Sequence, residues 1–383
     1  RFSLSDIWST AKGTLTHMHR IGMILALAAV SCGRSNTIPL APTCREWAIE
    51  IQKTVRLGTA EGPEAFPGDP MWALEDGRGR FWVAVNGHAV PMIFDSSGRF
   101  IQYFGREGVG PGEFRFLQPV QALPGDSVLV WEPMQFLVVG PDLTVARMIN
   151  TPEQIGRPAP LEWPTRVYGT ARGPMSRTST TYRHALYDMS GDTARETVEL
   201  MRLTDDSPLE TPASHWRVPG EVDGEAIWLA HLGRYAIDRL AVAGPKIDMQ
   251  LERQPDWFPG EMKTGWGTPD VPPWPQMVGV KPDSEGRLWV YSRKPRDNWQ
   301  LAWRGRTAAA GNEVRVSDLP PTELLCTTVL EVIDLERRRV VVRKEFSDAI
   351  VAIWEHNRIL SKHEDAAGIP YLEVLQLSLR EQR

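Results

Sequence analysis

Two segments of the chain align with each other, and the spacing between them restricts the fold more than any other feature. LGTAEGPEAFPGDPMWALEDGRGRFWVA begins at Leu57 and FGREGVGPGEFRFLQPVQALPGDSVLVW begins at Phe104, so the offset runs from 47 residues (Leu57 to Phe104) to 49 (Pro70 to Pro119). A third, partial copy, PQMVGVKPDSEGRLWVYSR, begins at Pro275 and repeats the GRFWV of the first copy as GRLWV. A period of this length, with several short apolar strands in each unit, is typical of β-propeller blades rather than of a helical solenoid.

The first copy contains four short strand patterns. MWALED, RFWVAV, VPMIFD and RFIQYFG follow one another, and turns rich in Gly, Asp and Ser separate most of them. One of these turns, DSSG at Asp95, and the related DSEG at Asp283 in the third copy lack the ligand series of a calcium loop, so both are predicted to be tight turns. No long apolar pattern with a helical period occurs in the chain, so the sequence predicts an all-β fold.

The glycine-rich stretch FGREGVGPGEF, from Phe104 to Phe114, is a candidate phosphate loop, linker or structural turn. A phosphate loop needs free N–H groups that open a helix, whereas Pro111 has no N–H and the next residues do not begin a helix. We therefore predict a crossover from the outer strand of one blade to the inner strand of the next. Phe114, and Phe66 one unit earlier, are expected to fill the gaps between neighbouring blades.

The same stretch, followed by Pro119, resembles an NHL-type repeat, and LGTAEGPEAF before Pro70 resembles a degenerate first copy. As a whole the chain is similar to bacterial six-bladed β-propellers of the NHL-repeat and TolB-like kind, many of which are exported lipoproteins. The resemblance is good over residues 46–150, moderate over 270–383 and poor over 150–220. It implies a propeller of four-stranded antiparallel blades.

The propeller is expected to occupy residues 46–383 and to have six blades. At the observed period the segment would hold seven units, but four stretches rich in proline and polar residues predict loop insertions, which favours six. The C-terminal segment offers only about three strands for the last blade. Because an open array would leave unpaired strand edges, we predict that WAIEIQKTVRLG, which begins at Trp47, completes that blade as its fourth strand.

The N-terminal part of the chain has the pattern of an export signal. MHRIGMILALAAVSC begins at Met18, with a positive Arg20 and an apolar run that is too short to span a bilayer but suits a signal peptide. Its end resembles a bacterial lipoprotein box, with Ala29 where that family usually has leucine and Cys32 as the acylated residue. An ordinary signal peptide or a buried segment is the alternative.

These features predict a division of the N-terminal part into three segments. Residues 1–17 are expected to be an upstream extension, 18–32 a lipoprotein-type signal and 33–45 a tether. The lipoprotein resemblance implies a lipid-anchored protein of the cell envelope, at the outer membrane or the periplasmic face.

The composition and the scattered reactive residues argue against several functions. With 43 basic and 48 acidic side chains, a net charge of -5 indicates no polycationic surface for nucleic acid. The eight histidines show no zinc-ligand spacing, and no serine lies in a G-x-S-x-G motif. Six-bladed propellers include metal-dependent lactonases and esterases, but no stretch matches their acidic motifs. We therefore predict no cofactor, no metal ligand and no catalytic residue.

The fifteen tryptophans divide into two groups. Those at repeating strand positions are predicted to lie in the core: Trp72, Trp82, Trp131, Trp228, Trp289 and Trp354. Trp257, Trp266 and Trp274 instead occupy a proline-rich insertion on a crossover, where aromatic side chains on a stiff loop suit a sugar, a peptide or an apolar group. Arg293 and Arg296, after GRLWVYS, are predicted to add polar contacts. The alternative is that these tryptophans only cap the blades.

The sequence therefore predicts a non-catalytic, exported, membrane-tethered propeller, expected to be monomeric. It would bind a protein, a peptide or a small ligand of unknown identity on its crossover-loop face. The alternative is a lactonase- or esterase-like hydrolase with a metal in the central channel, and a third hypothesis is a structural partner in an envelope complex. The fold alone does not choose between the first two, because propellers host both.

Overall fold

The computed structural model shows a six-bladed β-propeller, as the sequence predicts. Its strands form six four-stranded antiparallel sheets and one two-stranded sheet, all within a compact unit of residues 36–383. The structure describes residues 47–110, 112–172, 180–205, 217–244, 246–259, 270–303, 320, 322–354 and 357–381. The predicted signal, Cys32 and the tether lie outside the described residues.

Blades 1 to 3 are each built from four strands that follow one another in sequence. From the inner to the outer strand they are β2 (Pro70–Glu75), β3 (Phe81–Val85), β4 (Met92–Phe94) and β5 (Phe100–Tyr103); β8 (Gln118–Leu123), β9 (Ser127–Glu132), β10 (Gln135–Val139) and β11 (Val145–Asn150); and β12 (Ile155–Glu162), β13 (Arg166–Arg172), β14 (Thr180–Asp188) and β15 (Arg195–Asp205). Two short strands, β6 (Arg106–Glu107) and β7 (Glu113–Phe114), pair in parallel within the connection from blade 1 to blade 2.

Blades 4 and 5 follow the same plan, whereas blade 6 takes its outer strand from the start of the chain. The strands are β16 (Arg217–Val222), β17 (Ala226–His231), β18 (Ala236–Ala241) and β19 (Lys246–Glu252); β20 (Gln276–Pro282), β21 (Arg287–Pro295), β22 (Cys326–Asp334) and β23 (Arg339–Phe346); and β24 (Ala349–Trp354), β25 (Arg358–Glu364), β26 (Pro370–Glu381) and β1 (Trp47–Leu57). The first strands of neighbouring blades contact one another, β2 with β8 and β24, and β16 with β12 and β20, so these strands surround the channel.

The pairing of β1 with β26 closes the ring and confirms the predicted closure. The two strands are antiparallel, with Trp47 opposite Glu381 at one end and Leu57 opposite Leu372 at the other. Leu57 and Leu372 are both fully buried. The N-terminal strand therefore covers an edge of β26 that would otherwise be free to pair with another chain.

The hydrophobic core is divided among the six interfaces between neighbouring blades, each of which has its own buried cluster. Large side chains from the repeated strand positions fill them: Trp82 between blades 1 and 2, Tyr168 between 3 and 4, Trp228 between 4 and 5, Trp289 between 5 and 6, and Phe81 between 6 and 1. Burial of these apolar surfaces stabilises each blade only in contact with its neighbours.

The strand register defines two faces of the propeller. Each crossover ends at the start of an inner strand, and that start is paired with the last residues of the second strand, as Arg217 is with His231 and Gln276 with Arg293. The crossovers and the ends of the second strands therefore lie on the same face, which we call the crossover face. The turns between the first and second strands lie on the opposite face.

The glycine-rich stretch is a crossover, as predicted. Gly105 has a φ of +85°, and a Cβ there would lie 2.6 Å from the Phe114 ring; Gly58, with a φ of +89°, has the same relation to Phe66 at 2.5 Å. Both phenylalanines are partly buried against interblade clusters. Glycine is needed at these positions because the aromatic ring packs directly on the backbone.

A carboxylate within the crossover accepts hydrogen bonds from backbone N–H groups of the same crossover. The Glu113 side chain accepts hydrogen bonds from the N–H groups of Val109, at 3.1 Å, and Gly110, at 2.9 Å. These donors are the ones that a phosphate loop would offer to a ligand, so this stretch does not have the features of a phosphate cradle.

Turns on the opposite face are capped by an aspartate. Asp283 accepts hydrogen bonds from the N–H groups of Glu285 and Arg287, at 2.9 and 3.0 Å, and from the indole N–H of Trp289, at 3.0 Å. Asp76 makes the equivalent bond to Trp82, and Asp95 caps its turn without a tryptophan. The aspartates are thus used inside their own turns, which confirms tight turns.

The described helical segments are short and lie in the insertion between β21 and β22. A 3₁₀ turn at Trp299–Trp303 packs against helix α1 (Thr322–Leu325), and the free thiol of Cys326 is buried with them. Among the described residues, no helix has the length and apolar character needed to cross a membrane.

Removing β1 is expected to open the ring. A chain that begins at residue 59 should melt about 10 °C or more below one that begins at residue 47, because Leu372 and its neighbours lose their cover and β26 becomes an exposed edge. Circular dichroism melts and size-exclusion chromatography test this. A monomeric shorter chain with an unchanged melting temperature would contradict the role of β1.

The aspartate caps can be tested in a matched pair. Asp283→Ala should lower the free energy of unfolding by about 3 kcal/mol. The fully buried indole N–H of Trp289 and two backbone N–H groups all lose the carboxylate that accepts their hydrogen bonds. Asp95→Ala, in an exposed turn without a tryptophan, should cost about 1 kcal/mol or less. Urea denaturation measures both, and equal effects would show that the indole bond adds nothing.

Candidate functional site on the crossover face

Three neighbouring blades place a basic side chain where the second strand reaches the crossover face. In blades 4, 5 and 6 the residues opposite the start of the inner strand are His231, Arg293 and Lys362. The same position in the other three blades is occupied by Val85, Trp131 and Ala171. At this strand position, basic side chains therefore occur on blades 4 to 6 and not on blades 1 to 3.

A buried ion-pair network lies between blades 3 and 4. The Asp238 carboxylate accepts from Arg217 Nε at 3.2 Å, lies 2.7 Å from His231 Nε2, and accepts from Gln250 Nε2 at 2.8 Å. Arg234 Nε donates to His231 Nδ1 at 2.8 Å, so the imidazole carries its proton on Nε2 and donates it to Asp238. Both nitrogens of His231 are engaged, which leaves neither free to act as a base or a metal ligand.

The two buried histidines of this region are neutral at neutral pH. Burial lowers the pKa of His231 to about 4, and burial likewise lowers that of His184, whose Nδ1 lies 2.5 Å from the Tyr168 hydroxyl, to about 4. Burial opposes ionisation of Asp238, but its hydrogen bonds and the nearby Arg217 charge hold its pKa at about 2. Because His231 is neutral, the negative charge of Asp238 is offset by the positive charge of Arg217.

Two further interfaces contain a buried cation with an acidic partner. Between blades 4 and 5, the Tyr235 hydroxyl donates to Glu331 at 2.6 Å and Arg253 Nη1 donates at 2.5 Å to the other carboxylate oxygen. Between blades 6 and 1, Lys362 Nζ pairs with Asp69 and lies 2.5 Å from Glu323 Oε1. The carboxylates offset these cations, as buried charges require.

The interface between blades 5 and 6 is different. Arg293 is half-buried, and burial lowers the pKa of its guanidinium. Within the described part of the chain, neither a hydrogen bond nor an ion pair reaches this group. Gln276, which is 8% exposed, and Thr328, which is 2% exposed, lie directly opposite Arg293 on the adjacent strands.

The second predicted arginine has a different environment. Arg296 Nε donates to the carbonyl oxygens of Glu323, at 2.8 Å, and Cys326, at 3.3 Å, and its guanidinium also reaches that of Ser347. These bonds fasten the insertion of blade 5 to the start of blade 6. Arg296 therefore holds the loop beside Arg293 in position.

The predicted tryptophan loop is described only in part. Trp257 is half-buried and packs edge-on against Tyr235 and Phe258, with ring centroids 6.1 and 5.6 Å apart, while Arg343 lies 5.2 Å above its ring. Trp274 is also half-buried, just before β20. Trp266 lies outside the described residues.

Tryptophan N–H groups are paired differently on the two faces. On the opposite face Trp82, Trp228 and Trp289 donate to the aspartates of their turns, and all three are buried as predicted, as is Trp354. Five buried indole N–H groups have no acceptor in the described structure: those of Trp72, Trp131, Trp257, Trp274 and Trp303. All five tryptophans belong to crossovers, to the insertion of blade 5, or to strand segments near the crossover face. Trp72 and Trp131, predicted to be core, are only half-buried.

Most of the polar groups described above were not predicted from the sequence. Arg217, Asp238, Glu331 and Lys362 belong to no motif, and their ion-pair partners lie on other strands or loops. Their only common signal is a charged residue within, or at the end of, an otherwise apolar strand. Among the described residues, no group of three or more His, Cys, Asp or Glu side chains could hold a metal ion.

No protein-family profile and no curated protein matches the chain. Solved structures similar to it include a Bacteroides fragilis protein thought to be exported, with 8% identity and a TM-score of 0.46 over 88% of this chain and 96% of that one. A catalytically inactive virginiamycin B lyase from Staphylococcus aureus has 10% identity and a TM-score of 0.43, over 87% and 100% of the two chains. A gluconolactonase from Xanthomonas campestris has 11% identity and a TM-score of 0.43, over 81% and 87%.

The buried histidines make stability depend on pH. In the unfolded chain they titrate near 6.5 and in the folded protein near 4, so the unfolded state binds more protons between these values. Stability should therefore be complete above pH 6.5 and fall as the pH drops towards 4, by at most about 3 kcal/mol per histidine.

Urea denaturation of the wild type, His184→Gln, His231→Gln and the double variant, from pH 4.5 to 7.5, tests this pH dependence. The double variant should have the flattest profile. Identical slopes in all four proteins would contradict neutral, buried histidines.

Proposed function

We propose that this protein is a ligand-binding propeller of the cell envelope, exported and lipid-anchored through Cys32, with no chemistry of its own and no cofactor. Its ligand, a protein, a peptide or a small molecule, binds the crossover face on the side of blades 4 to 6. Trp257, Trp266, Trp274 and Arg293 are the proposed contact residues, and Arg296, which is bonded to backbone carbonyls, holds the loop beside Arg293. A monomer bearing one such face is sufficient for this role.

The observation that carries this proposal is the difference between the two faces. An aspartate pairs each of three indole N–H groups on the opposite face, whereas buried indole N–H groups near the crossover face have no acceptor in the described structure. Leaving a buried donor unpaired costs about 1–3 kcal/mol, so such groups need an explanation other than stability. The half-buried Trp257 and Trp274 also keep part of their side chains exposed on this face, where a ligand can contact them.

The loop tryptophans are suited to contact such a ligand, but they are not equivalent. Trp257 packs against the core cluster of blades 4 and 5, so it contributes to stability as well. Trp274 belongs to no buried cluster among the described residues. Substitution at Trp274 therefore separates binding from folding more cleanly than substitution at Trp257.

Binding through the loop is tested with these two positions. Ligands are sought by thermal-shift screening of peptides and of neutral and acidic sugars with the wild type. Trp274→Ala should weaken binding of any hit about tenfold or more, with a melting temperature within a few degrees of wild type, whereas Trp257→Ala should also lower the melting temperature. Trp47→Ala, on the outer strand of blade 6, is the control. Unchanged binding in both loop variants would contradict the proposed face.

The same preparations separate binding from metal-dependent hydrolysis. We expect the purified protein to contain no stoichiometric divalent metal and to turn over neither lactones nor esters. Metal analysis and activity assays before and after chelation measure this. Turnover that chelation abolishes would replace the binding proposal with a channel-metal hydrolase.

Acylation of Cys32 can be tested in cells. The full chain, produced in a Gram-negative host, should incorporate labelled palmitate and sediment with membranes, and Cys32→Ser should abolish both. Cys44→Ser is the matched control and should behave like wild type. Label retained in Cys32→Ser would contradict acylation at this position.

A further inference from the structure

Four cationic side chains lie at blade interfaces near the crossover face, and one of them lacks a direct acidic partner. Arg217 pairs with Asp238, Arg253 with Glu331, and Lys362 with both Asp69 and Glu323, each at a different interblade interface. Arg293, at the interface of blades 5 and 6, has no such partner among the described residues. Three of these cations therefore contact a carboxylate directly, whereas Glu323 acts on the fourth, Arg293, only from a longer distance.

We propose that Arg293, with Gln276 beside it, binds a carboxylate group of the ligand. This inference rests on the proposed function, since it names the chemical class of group that the crossover face recognises. Gln276 begins the inner strand of blade 5, so the site lies where the channel opens on that face.

The strand register places the two side chains together. Gln276, Arg293 and Thr328 lie directly opposite one another across β20, β21 and β22, and opposite residues of antiparallel strands project from the same side of a sheet with Cβ atoms about 5 Å apart. Two residues along β21, Tyr291 projects from that side into the cluster between blades 5 and 6. Gln276, Arg293 and Thr328 thus form a polar row at the end of this apolar interface that lies on the crossover face.

A guanidinium without a hydrogen-bonded partner in this position favours an anionic ligand over a neutral one. Arginine stays protonated even when burial lowers its pKa, so removal from water is offset only by an opposite charge or by good acceptors. A carboxylate supplies both, because its two oxygens match the fork of the guanidinium. The Gln276 amide can add a third donor.

The charges around Arg293 favour a carboxylate over a phosphate. The Glu323 carboxylate raises the pKa of Arg293 from nearby, so it also repels a bound anion. Phosphate carries close to two charges and is usually held by several cations. Arg296 is already bonded to three backbone carbonyls, and Lys362 to two carboxylates, so one free guanidinium remains for a single charge.

The test compares sodium glucuronate with neutral glucose, and N-acetylglycine with its amide, by thermal shift at constant ionic strength. Arg293→Met removes the charge and keeps an unbranched side chain, and Arg293→Lys keeps the charge without the fork. Arg337→Met, in an exposed turn on the opposite face, is the control. At least one carboxylate should raise the wild-type melting temperature saturably, with no effect of its neutral counterpart.

Arg337→Met should give the same shift, Arg293→Lys should bind about tenfold more weakly, and Arg293→Met should lose the saturable shift. No carboxylate-dependent shift in the wild type, or an equal shift in Arg293→Met, would overturn the proposal. A larger Arg293-dependent shift with inorganic phosphate would overturn the assignment to a carboxylate. General salt effects act on all variants alike.

Unfolding in urea, without added carboxylate, provides a second readout. If Arg293 serves to bind a ligand, Arg293→Met should be at least as stable as wild type, because an apolar side chain replaces a half-buried charge without a hydrogen-bonded partner among the described residues. A clear loss of stability would identify Arg293 as a structural residue and overturn the site. Loss of binding in Trp274→Ala together with normal binding in Arg293→Met would retain the proposed face and reject the carboxylate site.

Discussion

The pairing of β1 with β26 is the interaction on which the rest of the structure depends. Each blade buries its apolar surface against its neighbours, and β1 contributes Ile49 to the cluster between blades 5 and 6 and Leu57 to the cluster between blades 6 and 1. Glycine lets the inner strands approach one another closely. A Cβ at Gly220 would lie 2.1 Å from the Val280 carbonyl oxygen, and one at Gly279 would lie 2.8 Å from the Ile353 side chain. These contacts link blades 4, 5 and 6, where the candidate site lies.

The two faces of the ring differ in how their polar groups are used. On the opposite face, aspartates such as Asp283 pair both the turn backbone and a core indole, which makes those turns self-contained. Near the crossover face, charged residues bridge separate blades, and Arg293 and several indole N–H groups have no acceptor among the described residues. The opposite face thus pairs its donors within its own turns, whereas the crossover face has donors without an acceptor among the described residues.

Much of this fold was predictable from the repeat, because local rules act within each unit. The spacing predicted the blades, and the Gly105–Phe114 and Gly58–Phe66 contacts recur because each crossover makes the same traverse. The third blade was not predictable in the same way: its strands from β12 to β15 depart from the repeat pattern. The site was predicted only in part, since Arg293 was singled out from its loop while Gln276, Lys362 and Glu323 were not.

The sequence alone determined the number of strands in a blade, the turns that join them and the need for a strand from the other terminus. These follow from short-range patterns of apolar residues, glycine and aspartate, which act within a few residues. The tertiary structure alone decided which buried charges are compensated: Arg253 lies next to Glu331, and Lys362 next to Asp69, only because separate blades meet there. Charge compensation depends on distances in space across the ring, and no local pattern in the chain encodes those distances.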